Sequence, residues 1–200
     1  MNVMFVHIPK TAGTSIEKSL KLIRARTPSK FKNNFTNNGQ YSFGHLDVRK
    51  RLKNGAISKE FYESAFKFCF CRNPYDRAVS HYFYARKRHP DKFSPEVSFL
   101  DFSRTIGDYG KMFRTQTYYT KGLGFDFIGR FESLYEDVAF VAKTTGVEIN
   151  LLKLNTTQHN PYWTYYADES KENIENFYKE DFDFFNYGQD HNLLHRESMP

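Results

Sequence analysis

The sequence predicts an α/β fold of three layers, in which a mainly parallel central sheet lies between helices. Short apolar segments rich in Val, Ile and Phe alternate along the chain with segments whose apolar residues recur at helical spacing. In two places an apolar segment, a tight turn and a helix follow one another directly, as in the strand–turn–helix units of parallel sheets. No repeat or Gly/Ser-rich linker occurs, so a single domain spanning residues 1–200 is expected.

The first strand–turn–helix unit begins almost at the first residue. Residues 2–8 are apolar and β-prone, which is typical of a buried parallel strand. After a turn, Ile16, Leu20 and Ile23 recur at near-helical spacing with basic residues between them, which predicts a helix over residues 16–26.

The remaining elements are predicted from similar patterns and turn signals. In chain order they are a strand or strand end at 41–46, a helix at 58–64, a strand at 66–71, helices at 75–88 and 99–106, a strand at 125–131, a helix at 133–145 ended by Gly146, and an acidic amphipathic helix at 170–185. Ligands of such sheets bind at the carboxyl ends of the strands.

Composition and charge limit the classes of function. With 40% hydrophobic and 18% aromatic residues, the chain is too rich in core-forming side chains to be disordered. The net charge is +6, but it divides into +14 over residues 1–131 and −8 over residues 132–200. A basic excess raises the question of nucleic acid binding. Here the excess falls in the part of the chain that carries two candidate anion-binding turns, so a polynucleotide is not needed to explain it.

The two cysteines are expected to be buried thiols. Cys69 and Cys71 are two residues apart in an apolar strand, where their side chains share a face and form no unstrained disulfide. No group of His, Cys, Asp and Glu has the spacing of a metal site, so no metal is expected. No apolar run approaches the roughly 20 residues that a membrane span needs.

The turn after the first strand has the residue types of an anion cradle. Small residues let the backbone approach an anion, a following helix offers N–H groups, and Lys10 adds a positive charge. The residues concerned are Lys10, Thr11, Ala12, Gly13, Thr14 and Ser15. Because the lysine precedes the glycine, the turn is not a Walker A loop. A phosphate or a sulfate is the expected ligand.

A second anion site is predicted after the strand at 66–71. Arg72 lies at the end of this strand, and Ser80 lies two turns into the following helix. An arginine offers a fork of N–H donors that matches a phosphate group. Two anion sites at strand ends imply a ligand with two separated charged groups.

At these residues the chain resembles the sulfotransferases that use 3′-phosphoadenosine 5′-phosphosulfate (PAPS), particularly the carbohydrate-type branch with heparan sulfate 2-O-sulfotransferases and bacterial carbohydrate sulfotransferases. Residues 9–15 are similar to the 5′-phosphosulfate loop, and residues 72–82 are similar to the 3′-phosphate motif. Weaker similarity covers residues 127–137, Leu154 with Asn155, and Tyr165 with Tyr166. The resemblance implies a P-loop-like sulfotransferase fold.

The resemblance also implies roles for individual residues. Lys10 would bind near the bridging oxygen of the phosphosulfate, residues 11–15 would hold its phosphate, and Arg72 with Ser80 would hold the 3′-phosphate. The related carbohydrate enzymes use a histidine in a Gly-His context as general base, which makes His45 the candidate here. Arg114 and Gln116 resemble a segment near the acceptor or nucleotide and are candidate substrate residues.

The expected function is therefore transfer of the sulfuryl group from PAPS to a hydroxyl of a carbohydrate or glycolipid. A nucleotide-dependent phosphotransferase that uses the same loop is the second hypothesis, and it predicts Mg²⁺ and ATP binding. A basic nucleic-acid-binding module is the third, and it predicts affinity that falls steeply with salt. The expected location is cytoplasmic, as for a bacterial or viral enzyme, unless the chain is the luminal domain of a Golgi enzyme without its anchor.

Overall fold

A computed structural model describes residues 1–24, 39–45, 47–94, 96–148 and 159–188. The chain divides into two compact units, the first made of residues 1–71 and 118–155 and the second of residues 72–117 and 156–200. The expectation of a single domain over the whole chain stays a prediction. Leu154 and Asn155, which carry part of the resemblance, lie outside the described residues.

The first unit is built on a parallel sheet. Its described strands are β1 (Val3–His7), β2 (Ile23–Arg24), β3 (Gln40–Gly44), β4 (Phe66–Cys71) and β5 (Phe127–Arg130), and their order across the sheet is β2-β3-β1-β4-β5. Every pairing is parallel. β1 is central, with Val3 opposite Gln40 of β3 on one side and opposite Phe66 of β4 on the other. The carboxyl ends of β1, β3 and β4 therefore lie at the same edge.

Helices make up most of the remaining described chain. They are α1 (Gly13–Ser19), α2 (Val48–Lys53), α3 (Lys59–Ser64), α4 (Pro74–Arg88), α5 (Phe99–Thr105), α6 (Gln116–Thr120), α7 (Leu134–Thr145), α8 (Asp168–Phe177) and α9 (Lys179–Phe184). Short 3₁₀ turns occur at Ile106–Tyr109, Lys111–Phe113, Phe131–Ser133 and Tyr162–Tyr165. Gly146 ends α7 in the left-handed conformation, as the sequence predicts.

Helices cover both faces of the sheet in the first unit. Alternate residues of β1 point to opposite faces. Phe5 packs in one cluster with residues of α1 and α7, whereas Met4 packs in another with residues of α2 and α3. The predicted three-layer α/β fold with a parallel sheet is confirmed. Cys69 and Cys71 are both buried and unbonded to each other, and burial raises the pKa of the Cys69 thiol well above its usual value.

The second unit has an aromatic core. Its buried members include Tyr75 and Tyr82 of α4, Phe102 of α5, and Tyr178 and Phe182 near the end of the described chain. The rings meet mostly edge-on or tilted, as at Tyr75 and Phe182, whose centroids are 4.9 Å apart. Among the described residues, all five strands belong to the first unit.

The first helix is shorter than predicted. The sequence predicts a helix over residues 16–26, but α1 ends at Ser19 and the chain turns at Lys21, which has a φ of 49°. The turn allows Leu22 to be buried beside Leu20, and the Leu22 N–H donates to the carbonyl of Glu17 (2.8 Å). Ile23, the third member of the apparent helical pattern, is 55% exposed in β2.

The acidic helix predicted at residues 170–185 is two helices, α8 and α9. They are separated at Tyr178, which is fully buried and donates its hydroxyl to the carbonyl of Phe113 (3.2 Å). α9 begins directly after this residue and places the carboxyl group of Asp181 in the interior of the second unit. Tyr178 has a φ of −101° and a ψ of 20°, so α8 ends at this residue.

Candidate functional site

The turn between β1 and α1 has a tightly wound backbone. Lys10 and Ala12 have φ angles of 68° and 62°, in the left-handed region that side chains other than glycine seldom adopt. The hydroxyl of Thr11 donates to the carbonyl of Ile8 (3.0 Å), and the N–H of Ser15 donates to the carbonyl of Ala12 (2.8 Å). Strained conformations of this kind persist only where the surroundings fix them. The structure thus keeps Lys10 at the carboxyl end of the central strand.

Gly13 lies against the imidazole ring of His7. A Cβ atom at position 13 would be 1.9 Å from Cδ2 and 2.2 Å from Nε2 of His7. His7 is 4% exposed and stacks on Phe5, with 5.8 Å between the ring centroids. Only glycine at position 13 therefore allows the turn to lie this close to the end of β1.

We expect Gly13→Ala to destabilise the first unit, because the added methyl group would overlap the buried His7 ring. Forcing an extra carbon into a packed site costs about 1–3 kcal/mol, which would lower the Tm of a chain of this size by about 2–12 °C. Thermal unfolding followed by circular dichroism measures the loss. Gly124→Ala is the matched control because nothing lies within 4 Å of its Cβ position. An equal change of Tm in both variants would show that the His7 contact is not responsible.

A buried carboxylate lies behind the turn. Glu17 of α1 is 7% exposed, and its Oε1 is 2.9 Å from Nδ1 of His7 and accepts a hydrogen bond from the hydroxyl of Ser42 (2.5 Å). A buried carboxylate is costly unless it is hydrogen-bonded in this way. The cluster ties α1 to both β1 and β3. Sequence reasoning missed Glu17, although it is the only acidic residue among the first 46.

His45 lies beside the same turn. It follows β3, and its backbone N–H donates to the carbonyl of His7 (3.0 Å), the last residue of β1. The two imidazole rings meet edge-on with centroids 4.6 Å apart. His7 is buried, whereas His45 is exposed and has a φ of 57°. The structure therefore brings the predicted base and the predicted phosphosulfate loop to one edge of the sheet.

Asp47 fixes the chain just after His45. Its carboxylate caps α2 by accepting from the N–H of Lys50 (3.4 Å), and it also accepts from Nε of Arg49 (3.2 Å) and from the hydroxyl of Tyr118 (3.3 Å). Burial acts to raise the pKa of Asp47, but the bonds from Arg49 and from the Lys50 amide outweigh it and lower that pKa. Hydrogen bonds therefore hold the chain both at His45, through its backbone N–H, and at Asp47, through its carboxylate.

The predicted 3′-phosphate residues belong to the second unit. Arg72 follows the last residue of β4, is 8% exposed, and binds both oxygens of Asp76 through Nε and Nη2 at 2.8 Å each. This bidentate pair fixes the plane of the guanidinium group. Asn73 caps α4 by accepting from the N–H of Tyr75 (2.9 Å), and Ser80 lies buried two turns into the helix. Arg72 and Ser80 are therefore held on one rigid segment.

The two candidate substrate residues differ in placement. Gln116 is fully buried, and its side-chain amide bonds to the backbone of Arg72 in both directions, with N···O distances of 2.9 Å. Arg114 is half-buried, and its carbonyl accepts from Nη2 of Arg77 (2.8 Å). The structure joins Gln116 directly to a predicted phosphate-binding residue, while a contact of either side chain with substrate stays a prediction.

A second buried carboxyl group lies behind Gln116. Asp181 accepts from the backbone N–H groups of Gln116 and Thr117 at 2.8 Å each, and its Oδ2 lies 3.7 Å from Nη1 of the fully buried Arg77. Burial raises the pKa of Asp181, although Arg77 and the two amides oppose the shift. Sequence reasoning missed Asp181 too. The available signal was its position seven residues after Ile174, on the apolar face of the predicted helix.

The described residues offer no grouping suited to a metal ion. Within those ranges, no three His, Cys, Asp or Glu side chains lie together so that they would hold one. No helix in that part of the chain is long and apolar enough to cross a membrane.

The chain is similar to known proteins over part or most of its length. An uncharacterised protein of Archaeoglobus fulgidus is 34% identical over 112 residues, which are 53% of this chain and 89% of that protein. A sulfotransferase from Alicyclobacillus acidocaldarius has a similar structure, with a TM-score of 0.49 and 18% identity over 97% of this chain and 95% of that one. The model of the sulfotransferase family matches residues 1–188, which include both anion motifs and His45. The chain belongs to the sulfotransferase family.

Proposed function

We propose that this sulfotransferase takes the sulfuryl group from PAPS and transfers it to a hydroxyl of a carbohydrate or glycolipid acceptor. The observation that carries the proposal is the juxtaposition at one sheet edge of a strained, lysine-bearing turn and an exposed histidine, in a chain of this family. The turn suits the phosphosulfate, and the histidine suits a hydroxyl that must lose a proton.

In the proposed reaction, His45 takes the proton of the acceptor hydroxyl as the acceptor oxygen attacks sulfur. A new S–O bond forms to the acceptor, and the S–O bond to the bridging oxygen breaks in line with it. Negative charge then grows on the departing phosphate, and Lys10 with the backbone of residues 11–15 stabilises it. Groups fixed in place before the reaction stabilise such a charge most effectively. The product nucleotide is adenosine 3′,5′-bisphosphate.

Arg72 and Ser80 are proposed to hold the 3′-phosphate of the same nucleotide. Arg72 suits this role because its guanidinium is almost buried and already oriented by Asp76. Charge-assisted hydrogen bonds to phosphate are roughly twice as strong as bonds between neutral groups. The chain would therefore prefer adenosine 3′,5′-bisphosphate to adenosine 5′-phosphate.

Calorimetric titration separates the proposal from the two other hypotheses. We expect adenosine 3′,5′-bisphosphate to bind without Mg²⁺ and more tightly than ATP or a mixed-sequence oligonucleotide. Tight binding of ATP that depends on Mg²⁺ would instead favour a phosphotransferase. Oligonucleotide binding that weakens steeply with salt would favour a nucleic-acid-binding module.

Lys10→Ala is expected to lower kcat by about 10²–10³-fold, because one fixed group that stabilises the leaving phosphate is lost. The assay measures transfer of ³⁵S from labelled PAPS to a panel of sugars, polysaccharides and glycolipids. Lys18→Ala is the matched control, since Lys18 is an exposed lysine of α1 outside the turn. Full activity of Lys10→Ala with an acceptor that wild type uses would remove the assigned role. Labelling by wild type of none of these hydroxyl acceptors would contradict the acceptor class.

A further inference from the structure

The side chain of Gln116 makes two hydrogen bonds to the backbone of Arg72. Its Oε1 accepts from the N–H of Arg72 and its Nε2 donates to the carbonyl of Arg72, both at 2.9 Å. These are the two bonds that the backbone of a neighbouring β-strand would make with the N–H and carbonyl groups of Arg72. The opposite orientation of the amide would place donor against donor and acceptor against acceptor, so the two bonds also fix how the amide is turned.

Gln116 is itself held from behind. Asp181 accepts from the N–H groups of Gln116 and Thr117, and Arg77 donates to the carbonyl of Arg114. Gln116, Asp181 and Arg77 are each 0% exposed. Buried polar groups of this kind are rigid when their hydrogen bonds are made. A chain of buried contacts thus runs from Arg77 and Asp181 through Gln116 to the backbone of Arg72.

The side chain of Arg72 is fixed separately. Asp76 binds the guanidinium group through two bonds of 2.8 Å. Two independent restraints therefore act on Arg72, with Asp76 setting the direction of the guanidinium and Gln116 setting the position of the backbone that carries it. Phosphate recognition depends on both, because hydrogen bonds weaken steeply when distance and angle depart from their preferred values.

We propose that Gln116 is a positioning residue for phosphate recognition, which holds the Arg72 backbone where its guanidinium group meets the 3′-phosphate of the nucleotide. This inference rests on the proposed function, since it assumes that Arg72 binds that phosphate. It gives Gln116 a role that requires no contact with the acceptor.

The test compares two nucleotides that differ only in the 3′-phosphate. Dissociation constants for adenosine 3′,5′-bisphosphate and adenosine 5′-phosphate are measured by calorimetry for wild type and for Gln116→Met, which keeps the side-chain length without the amide. We expect the preference for the bisphosphate to fall about tenfold, since bonds to a charged group contribute at least this much. The affinity for the monophosphate should change by less than about twofold in the same variant, because that nucleotide does not use Arg72.

Gln40→Met is the matched control, because Gln40 is a half-buried glutamine in β3 outside the proposed phosphate contacts. Its nucleotide preference should equal that of wild type. In an Arg72→Ala background, Gln116→Met should change the preference by less than about twofold, because a positioning residue has no effect once its target is gone. An unchanged preference in folded Gln116→Met, or an equal loss of affinity for both nucleotides, would overturn the proposal.

A second variant covers the case in which Gln116→Met does not fold. In Gln116→Glu the ionised carboxylate accepts from the Arg72 N–H but donates nothing to its carbonyl, whereas the protonated carboxyl group restores both bonds. The bisphosphate preference of this variant, relative to wild type at the same pH, should therefore recover as the pH falls. A ratio that does not depend on pH would overturn the proposal. If wild type itself has no preference for the bisphosphate, the assignment of Arg72 under the proposed function fails instead.

Discussion

Replacement of His45 by alanine is expected to lower kcat for sulfuryl transfer by about 10²–10⁴-fold, the usual contribution of a positioned general base. The effect should fall on kcat more than on the affinity for adenosine 3′,5′-bisphosphate, because the base acts on the acceptor hydroxyl. The ³⁵S transfer assay measures kcat, and calorimetric titration measures the affinity for the bisphosphate.

The exposure of His45 allows a sharper test of this role. Because His45 is exposed to solvent, added imidazole should reach the space that His45→Ala leaves. Imidazole should therefore restore part of the lost activity, and more of it at a pH where imidazole is neutral. His89→Ala is the matched control, since His89 is an exposed histidine that follows α4. Activity near the wild-type level in His45→Ala would exclude His45 as the base.

The sequence was sufficient for those parts of the fold that local patterns determine. β1, β4 and α4 lie within a residue or two of their predicted positions. An apolar run followed by a turn and a helical pattern is compatible with few structures other than a strand and a helix. The early end of α1 and the break at Tyr178 could not be predicted in the same way. Both depend on burial of a particular side chain against residues that are distant in the sequence. Tertiary packing overrides helical periodicity at such points.

The candidate site likewise contains some residues that local sequence motifs identify and others that they do not. Lys10 and Arg72 were recognisable because anion-binding turns need particular residue types within a few positions of each other. Glu17 could not be identified from a local motif, because its partner Ser42 lies 25 residues away on a neighbouring strand. The bond between Gln116 and Arg72 spans 44 residues, and no local pattern signals it. Sequence motifs identified the residues proposed to contact the nucleotide, whereas the residues that hold them became visible only in the structure.

Asp181→Asn should destabilise the second unit by about 1–3 kcal/mol at neutral pH, the usual cost of leaving a buried hydrogen-bonding group without its partner. The substitution removes the charge opposite Arg77, which is 0% exposed. In wild type, the backbone N–H groups of Gln116 and Thr117 each donate to a carboxylate oxygen of Asp181. In the variant, the NH₂ group of the asparagine would face one of these two donors. Denaturant unfolding followed by circular dichroism and tyrosine fluorescence measures the loss.

Two comparisons identify the cause of this loss. Asp183→Asn is the matched control, because Asp183 is an exposed aspartate of the same helix, and its effect should stay within about 0.5 kcal/mol. In a double-mutant cycle with Arg77→Met, the two substitutions should be less than additive by about 0.5–3 kcal/mol, because each removes the same ion pair. Strict additivity would show that the amide bonds alone account for the effect.

The pH dependence of the loss follows from the direction of the pKa shift. Burial raises the pKa of Asp181 above 3.8, so the folded protein binds this proton more tightly than the unfolded chain does. The stability that protonation contributes is complete below pH 3.8 and disappears as the pH rises through the raised pKa. The Asp181→Asn variant has no such proton, so the stability difference between wild type and variant should be largest in acid and narrow toward neutral pH. A difference that instead widens with rising pH would mean that the pKa of Asp181 in the folded chain is lowered, with Arg77 and the amides outweighing burial.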